Sequence, residues 1–198
     1  MLLVASSMSF IACAQSNKTV SQNMTENKKV LVAFFSRTGE NYAVGNITKG
    51  NTHIIAEIIA GATDGELFQI QPLTPYPDEY KACVDLAKQE LNAKARPEVK
   101  GDIRVEDYDV IFIGYPNWWG DMPMPVYTFI EKHNWQGKTV IPFCTHEGSG
   151  LGGTDAKLAQ ACVGATVLNG LAVRGKTAQN SREEARKAVT SWLASLPL

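Results

Sequence analysis

Three stretches of this chain are apolar almost without interruption: Val30-Leu31-Val32-Ala33-Phe34-Phe35, Val110-Ile111-Phe112-Ile113-Gly114 and Thr139-Val140-Ile141-Pro142-Phe143-Cys144. A strand with one face in water alternates apolar and polar residues, whereas a strand covered on both faces does not. The three runs therefore read as central strands of a parallel sheet. Glu66-Leu67-Phe68-Gln69-Ile70 alternates and fits a strand nearer an edge, and a last strand is expected around 166–173. Helical patterns fall between them, over residues 52–60, 77–95, 123–132, 154–162 and 181–196. The last opens with Ser181-Arg182-Glu183-Glu184, a capping-box pattern in which Ser and Glu satisfy each other's free amides. Strand and helix alternate about five times, which argues for an α/β doubly wound sheet. No internal repeat and no second domain is evident.

Composition narrows the function classes. Of 198 residues, 44% are hydrophobic and 20% charged, as in globular proteins with a substantial core. Nineteen Lys and Arg oppose twenty Asp and Glu, for a net charge of −1. A dedicated nucleic-acid binder would carry a basic excess, and a carrier that docks on basic partners would be strongly acidic. Cys13, Cys83, Cys144 and Cys162 show no C-x-x-C spacing, and His53, His133 and His146 are far apart. Neither a disulfide framework nor a metal site is indicated; Cys144 and Cys162 read as small core residues. No apolar run reaches the roughly 18 residues of a membrane-spanning helix.

Residues 2–12 are a short apolar stretch ending at Cys13, a pattern that suits a secretory signal. Ser9-Phe10-Ile11-Ala12-Cys13 resembles a bacterial lipobox, in which the cysteine becomes the lipidated first residue. Phe10 stands where Leu is commoner, and a basic start is missing. On this reading residues 1–13 are a lipoprotein signal, 14–28 a polar tether and 29–198 the folded domain. The protein is then exported and membrane-anchored on the periplasmic side; if the segment is not a signal, it is cytoplasmic.

In doubly wound sheets ligands bind beyond the carboxyl ends of the strands, at the topological switch point. The loops leaving the three apolar strands are all unusual. The first is Ser36-Arg37-Thr38-Gly39-Glu40-Asn41, neither G-x-G-x-x-G nor a Walker loop. Its hydroxyls, with backbone amides and a helix N-terminus, can hold a phosphate without a lysine. The second contains Pro116-Asn117-Trp118-Trp119-Gly120-Asp121, and a flat aromatic ligand would cover such tryptophans. The third, Thr145-His146-Glu147-Gly148-Ser149-Gly150-Leu151-Gly152-Gly153, carries four glycines in nine residues, which lets backbone amides approach a ligand closely. Glu147 occupies the first glycine position of a G-x-S-x-G elbow, so no serine hydrolase is indicated.

Over roughly residues 29–196 the chain resembles the flavodoxin-like family. The resemblance rests on Phe34-Phe35-Ser36-Arg37-Thr38-Gly39, Gly114-Tyr115-Pro116-Asn117-Trp118-Trp119-Gly120 and Thr145-His146-Glu147-Gly148-Ser149-Gly150. It implies a five-stranded sheet of order 2-1-3-4-5 in a three-layer α/β/α fold that binds FMN non-covalently. By that analogy Ser36 and Thr38 donate to the FMN phosphate, with Gly39 and Arg37 beside it, and Trp118 or Trp119 flanks the isoalloxazine ring. Amides from Asn117 to Gly120 and from His146 to Gly150, Ser149 included, would meet the ring's polar edge, near Pro116 and Thr145. Simple family members read T-G-N-T straight into the first helix. Here Thr38-Gly39 is separated from Gly50-Asn51-Thr52 by residues 40–49, which reads as the insertion of a bacterial subgroup. Either Asn51 and Thr52 complete the phosphate cradle, or Glu40 and Asn41 do and the insertion lies within the helix. Thr52 opens the apolar pattern Ile54, Ile55, Ile58, Ile59, which favours the first placement.

The resemblance implies a redox protein that carries electrons through FMN between protein partners. An alternative is a reductase that takes hydride from NAD(P)H and passes electrons to a quinone or flavin. A third reading is an exported flavin-binding module without redox turnover. The near-zero net charge weakens the acidic shuttle, and short loops leave no extra segment to hold a nicotinamide; the reading leans to electron transfer. His146 is a candidate donor of a proton or hydrogen bond to reduced flavin.

Overall fold

The computed structural model describes residues 28–198. In chain order the elements are β1 (Val30–Phe34), β2 (Gly39–Asn41), β3 (Gly45–Ile47), α1 (Asn51–Thr63), β4 (Glu66–Gln69), β5 (Gln71–Pro72), α2 (Tyr80–Ala93) and β6 (Val99–Lys100). They continue with β7 (Val110–Pro116), α3 (Met124–Glu131), β8 (Thr139–His146), α4 (Thr154–Ala161), β9 (Thr166–Val167), β10 (Leu171–Arg174), α5 (Gly175–Asn180) and α6 (Arg182–Leu193).

The main sheet is parallel, in the order β4-β1-β7-β8-β10, with β9 also paired to β8. β9 and β10 are two pieces of one fifth strand: Thr166 lies opposite Thr139, and Leu171 opposite Phe143. The order is thus the 2-1-3-4-5 expected from the resemblance. All five residues of β1 are buried, because both faces are covered. Val30, Val32 and Phe34 join Ile54, Ile55 and Ile59 of α1 and Val189, Trp192 and Leu193 of α6. Leu31, Ala33 and Phe35 join Val126, Phe129 and Ile130 of α3 and Leu158 of α4 on the other side. Each such large apolar side chain contributes about 1.5–3 kcal/mol by leaving water. Among the described residues β4 pairs only with β1, and all four of its residues are at least partly exposed, Leu67 at 42%, as an edge position allows.

Two local features depart from the sequence reading, and a third agrees with the favoured placement of the insertion. α2 starts at Tyr80 rather than near residue 77, where the Glu79 carboxylate accepts the Lys81 and Ala82 amides. Ser181 precedes α6, yet its side chain makes no capping bond. It also ends α5, its N–H donating to Thr177 O, and its ψ of 58° is far from the extended backbone that aims an N-cap side chain at the helix. Residues 40–49 do not extend a helix: Glu40 and Asn41 lie in β2 of an antiparallel hairpin, and α1 begins at Asn51.

Candidate functional site

β1 and β7 are neighbours whose following helices lie on opposite faces of the sheet: α1 packs with one core cluster and α3 with the other. Their carboxyl ends form the switch point, where diverging connections leave a crevice.

The β1 loop and the start of α1 build one wall. Gly50 precedes α1 with φ −67° and ψ 154°. A Cβ there would stand 2.2 Å from Ser36 Oγ and 2.5 Å from Arg37 O, so only glycine lets the two segments touch. Across this contact the His53 N–H donates to Ser36 Oγ at 3.1 Å, which leaves the Ser36 hydroxyl proton uncommitted. The Asn51 and Thr52 amides in the first turn have no acceptor among the described residues. Gln179 Nε2 donates to Asn51 Oδ1 at 2.8 Å and to Lys49 O at 2.7 Å, fixing the turn from α5. Thr38 is exposed beside it.

Two residues of this wall act differently from expectation. The Arg37 guanidinium is turned away from the crevice. It donates to Pro77 O at 3.1 and 2.7 Å, to Asp78 O at 2.6 Å and to Glu40 O at 2.5 Å. These four bonds clasp the hairpin to the segment before α2, and Glu40 adds an acceptor for the Tyr80 amide at 2.9 Å. The Thr52 and Thr145 side chains are buried and bond each other, Oγ1 to Oγ1, at 2.7 Å, joining α1 to the end of β8.

The β7 loop is a tight two-residue turn. Trp118 and Asp121 exchange backbone bonds of 2.9 and 3.0 Å, and the residues between them have φ of 59° (Trp119) and 73° (Gly120). Both positive values make it the mirror-image turn that favours Asn-Gly; a tryptophan in it is strained by about 1–2 kcal/mol. Trp119 is 52% exposed, with its indole N–H on Val84 O at 3.2 Å and Lys88 Nζ 4.6 Å from the ring centre. Trp118 instead meets Phe35 and Tyr76 edge-on, at 5.3 and 5.0 Å between ring centres. Adjacent in sequence, the two rings thus have opposite surroundings.

Most amides that sequence reasoning aimed at a ligand are committed within the loops. The Asn117, Trp118 and Gly120 N–H groups donate to Thr145 O, Asp121 O and Asn117 Oδ1. Gly148 and Gly150 donate to His146 Nδ1 at 2.9 and 3.1 Å. Short, glycine-rich loops satisfy their own backbone first. The Trp119 and Ser149 amides have no acceptor among the described residues. Asn117 Nδ2 reaches Gly150 O and Leu151 O at 3.3 and 3.4 Å, tying the two loops together beside Pro116.

Several supporting residues carry no local sequence signal. Asp121 is buried and accepts from Met122 N, Tyr127 OH and Lys157 Nζ. Glu147 accepts the Lys176 amide at 2.8 Å, holding the start of α5. Tyr76 OH donates to Glu90, whose carboxyl is pushed up by burial while this bond opposes the shift. Tyr76, Glu90, Trp118, Met122 and Met124 line a small cleft.

Burial pushes the Cys144 and Cys162 thiols up to about 12, so neither is a nucleophile at neutral pH. Among the described residues no group of His, Cys, Asp and Glu is placed to hold a metal ion, and no helix is long and apolar enough to cross a membrane. Cys13 and the lipobox pattern lie outside the described residues.

A family model for flavodoxin matches residues 29–194. No curated protein matches the chain. Among solved structures, a Bacteroides eggerthii protein described as a flavoprotein is 32% identical with a TM-score of 0.69, over 87% of this chain and 99% of its own. A similarly described Bacteroides uniformis protein is 30% identical with a TM-score of 0.65, over 81% of this chain and 96% of its own. A Lactobacillus acidophilus flavoprotein solved in complex with FMN shares the fold at 24% identity and a TM-score of 0.58, over 76% and 95%. With the family model spanning the folded region and a relative of this identity along nearly its full length, the chain belongs to the flavodoxin family.

Proposed function

We propose that this protein holds FMN non-covalently at the switch point and carries electrons between redox partners. The observation that carries this reading is the start of α1. Two unengaged amides, of Asn51 and Thr52, stand beside the Ser36 hydroxyl and the exposed Thr38. Hydroxyl donors at a helix N-terminus, where the backbone dipole favours negative charge, suit a phosphate without any lysine. Membership of the flavodoxin family and the FMN complex of the Lactobacillus acidophilus relative support the same ligand.

In this arrangement Ser36, Thr38, Asn51 and Thr52 bind the phosphate, the last through its amide alone. The exposed face of Trp119 covers the isoalloxazine ring, and the free Trp119 and Ser149 amides serve its polar edge. Trp118, braced by Phe35 and Tyr76, sets the position of the turn. FMN, when bound, supplies the electron-transfer chemistry, and the chain orients it and limits its contact with water. The short loops around the crevice, with no added segment to hold a nicotinamide among the described residues, favour a carrier over a reductase. From residues 2–13 we also infer export and anchoring through a lipidated Cys13.

The test is to reconstitute the full chain with FMN and add NADPH without oxygen. Binding that quenches flavin fluorescence, with the oxidised absorbance band intact, is the expected result. Rapid loss of the band makes the protein a reductase, and no binding overturns the flavin reading.

A further inference from the structure

The 147–153 loop carries four glycines, so few side chains of its own hold its shape. His146, at its entrance, does so. Its Nδ1 accepts the amides of Gly148 at 2.9 Å and Gly150 at 3.1 Å, much as an Asx side chain folds the backbone that follows it. A ring nitrogen that accepts has no proton, so this contact requires neutral imidazole with its proton on Nε2. Two charged groups bear on the ring. Arg174 lies opposite His146 in the β8–β10 register, and Glu147 is adjacent but engaged with the Lys176 amide.

We propose that His146 is a positioning residue whose unprotonated Nδ1 fixes the glycine loop beside the flavin, so that acid opens the loop and loosens FMN. This deepens, and rests on, the flavin reading. A proton on Nδ1 would confront two N–H donors and cancel both bonds. Burial and then Arg174 hold the His146 imidazole below its usual value of 6.5, with Glu147 opposing. The neutral form is thus the folded form. Its contribution is complete above the unfolded value of about 6.5 and declines as the pH falls through and below it.

The test compares the full-length wild type with His146→Asn and His146→Ala. Asparagine offers an oxygen to the same amides and does not titrate; alanine offers nothing. FMN affinity is measured at pH 7.5 and 5.0, and protection of the Gly148 and Gly150 amides from hydrogen exchange is measured without FMN. The FMN phosphate itself gains a proton near pH 6, but that loss is common to all three proteins. The expected result is a wild-type affinity loss at pH 5.0 about tenfold greater than that of His146→Asn. His146→Asn should also rescue most of the affinity that His146→Ala loses at pH 7.5. Both amides should be protected at pH 7.5 in wild type and His146→Asn, at pH 5.0 in His146→Asn alone, and at neither pH in His146→Ala. Equal pH dependence in wild type and His146→Asn, or equal amide protection in wild type and His146→Ala, overturns the proposal. If wild type takes no FMN at pH 7.5, the flavin reading and the binding half of this proposal fall together, while exchange still decides the clamp.

Discussion

Replacing Trp119 by asparagine separates a residue kept for a ligand from one kept for the fold. Truncating a fully packed tryptophan costs about 3–5 kcal/mol. Trp119 is 52% exposed, so about half of that cost, roughly 1.5–2.5 kcal/mol, applies. Against it stands the strain of a bulky side chain at φ 59°, worth about 1–2 kcal/mol. Asparagine followed by Gly120 relieves that strain, because Asn-Gly is the preferred pair for this turn. The net change in urea unfolding of the FMN-free protein should therefore lie between a gain of about 0.5 kcal/mol and a loss of about 1.5 kcal/mol. FMN binding should respond differently. Aromatic stacking contributes about 0.5–1.5 kcal/mol beyond the area it covers, so the dissociation constant, read by flavin fluorescence, should rise at least about 2- to 12-fold. A stability loss of about 3 kcal/mol or more would make Trp119 a packing residue and refute the strain argument. Unchanged FMN affinity would remove it from the site.

Other substitutions probe the surroundings. Gly50→Ala keeps an allowed backbone but drives a methyl to 2.2 Å from Ser36 Oγ; it should cost about 1–3 kcal/mol and weaken FMN binding, and wild-type behaviour in both assays would show that the contact can relax. Arg37→Ala should lower stability by about 1–3 kcal/mol through lost hydrogen bonds while changing FMN affinity far less than Gly50→Ala does. A large affinity loss would return Arg37 to the phosphate site. Asp121→Ala strands Tyr127 OH and the Met122 amide and should destabilise by about 1–3 kcal/mol, more than Asp121→Asn; equal losses would assign the effect to charge alone. Cys13→Ala should abolish fatty-acid labelling of the full chain in a bacterial host and release it from the membrane fraction, and labelling that persists would place the anchor elsewhere.

The sheet was legible because burial writes itself into composition. A strand such as Val30–Phe34, covered on both faces, is apolar throughout, and an edge strand such as Glu66–Gln69, partly exposed along its length, admits polar residues. The loops that carry the site were legible as places, since strand ends in this fold converge. Their internal chemistry was not. Arg37 looks like a phosphate ligand until carbonyls about forty positions along the chain claim its donors. Gln179, which steadies Asn51 from 128 positions away, has no local signature. Trp118 and Trp119 are identical in type and adjacent, and only the turn's left-handed backbone sends one inward and the other outward. Ser181 matched a helix-start pattern, but a second helix ending on the same residue sets its backbone angles.

The hairpin of β2 and β3 lies in the chain between the β1 loop and the start of α1, and both of its ends are tied down, by Arg37 and Glu40 on one side and Gly50 on the other. At its tip Tyr42 stacks on Tyr80, 6.1 Å between ring centres, and Ala43 is exposed at φ 63°. Lengthening a loop whose stem is already closed is inexpensive in chain entropy, about 0.6 kcal/mol for each doubling. The tip is therefore a natural insertion point: a peptide epitope or a dye-bearing loop placed at Ala43 would report on partners approaching this side of the molecule while leaving α1 in place.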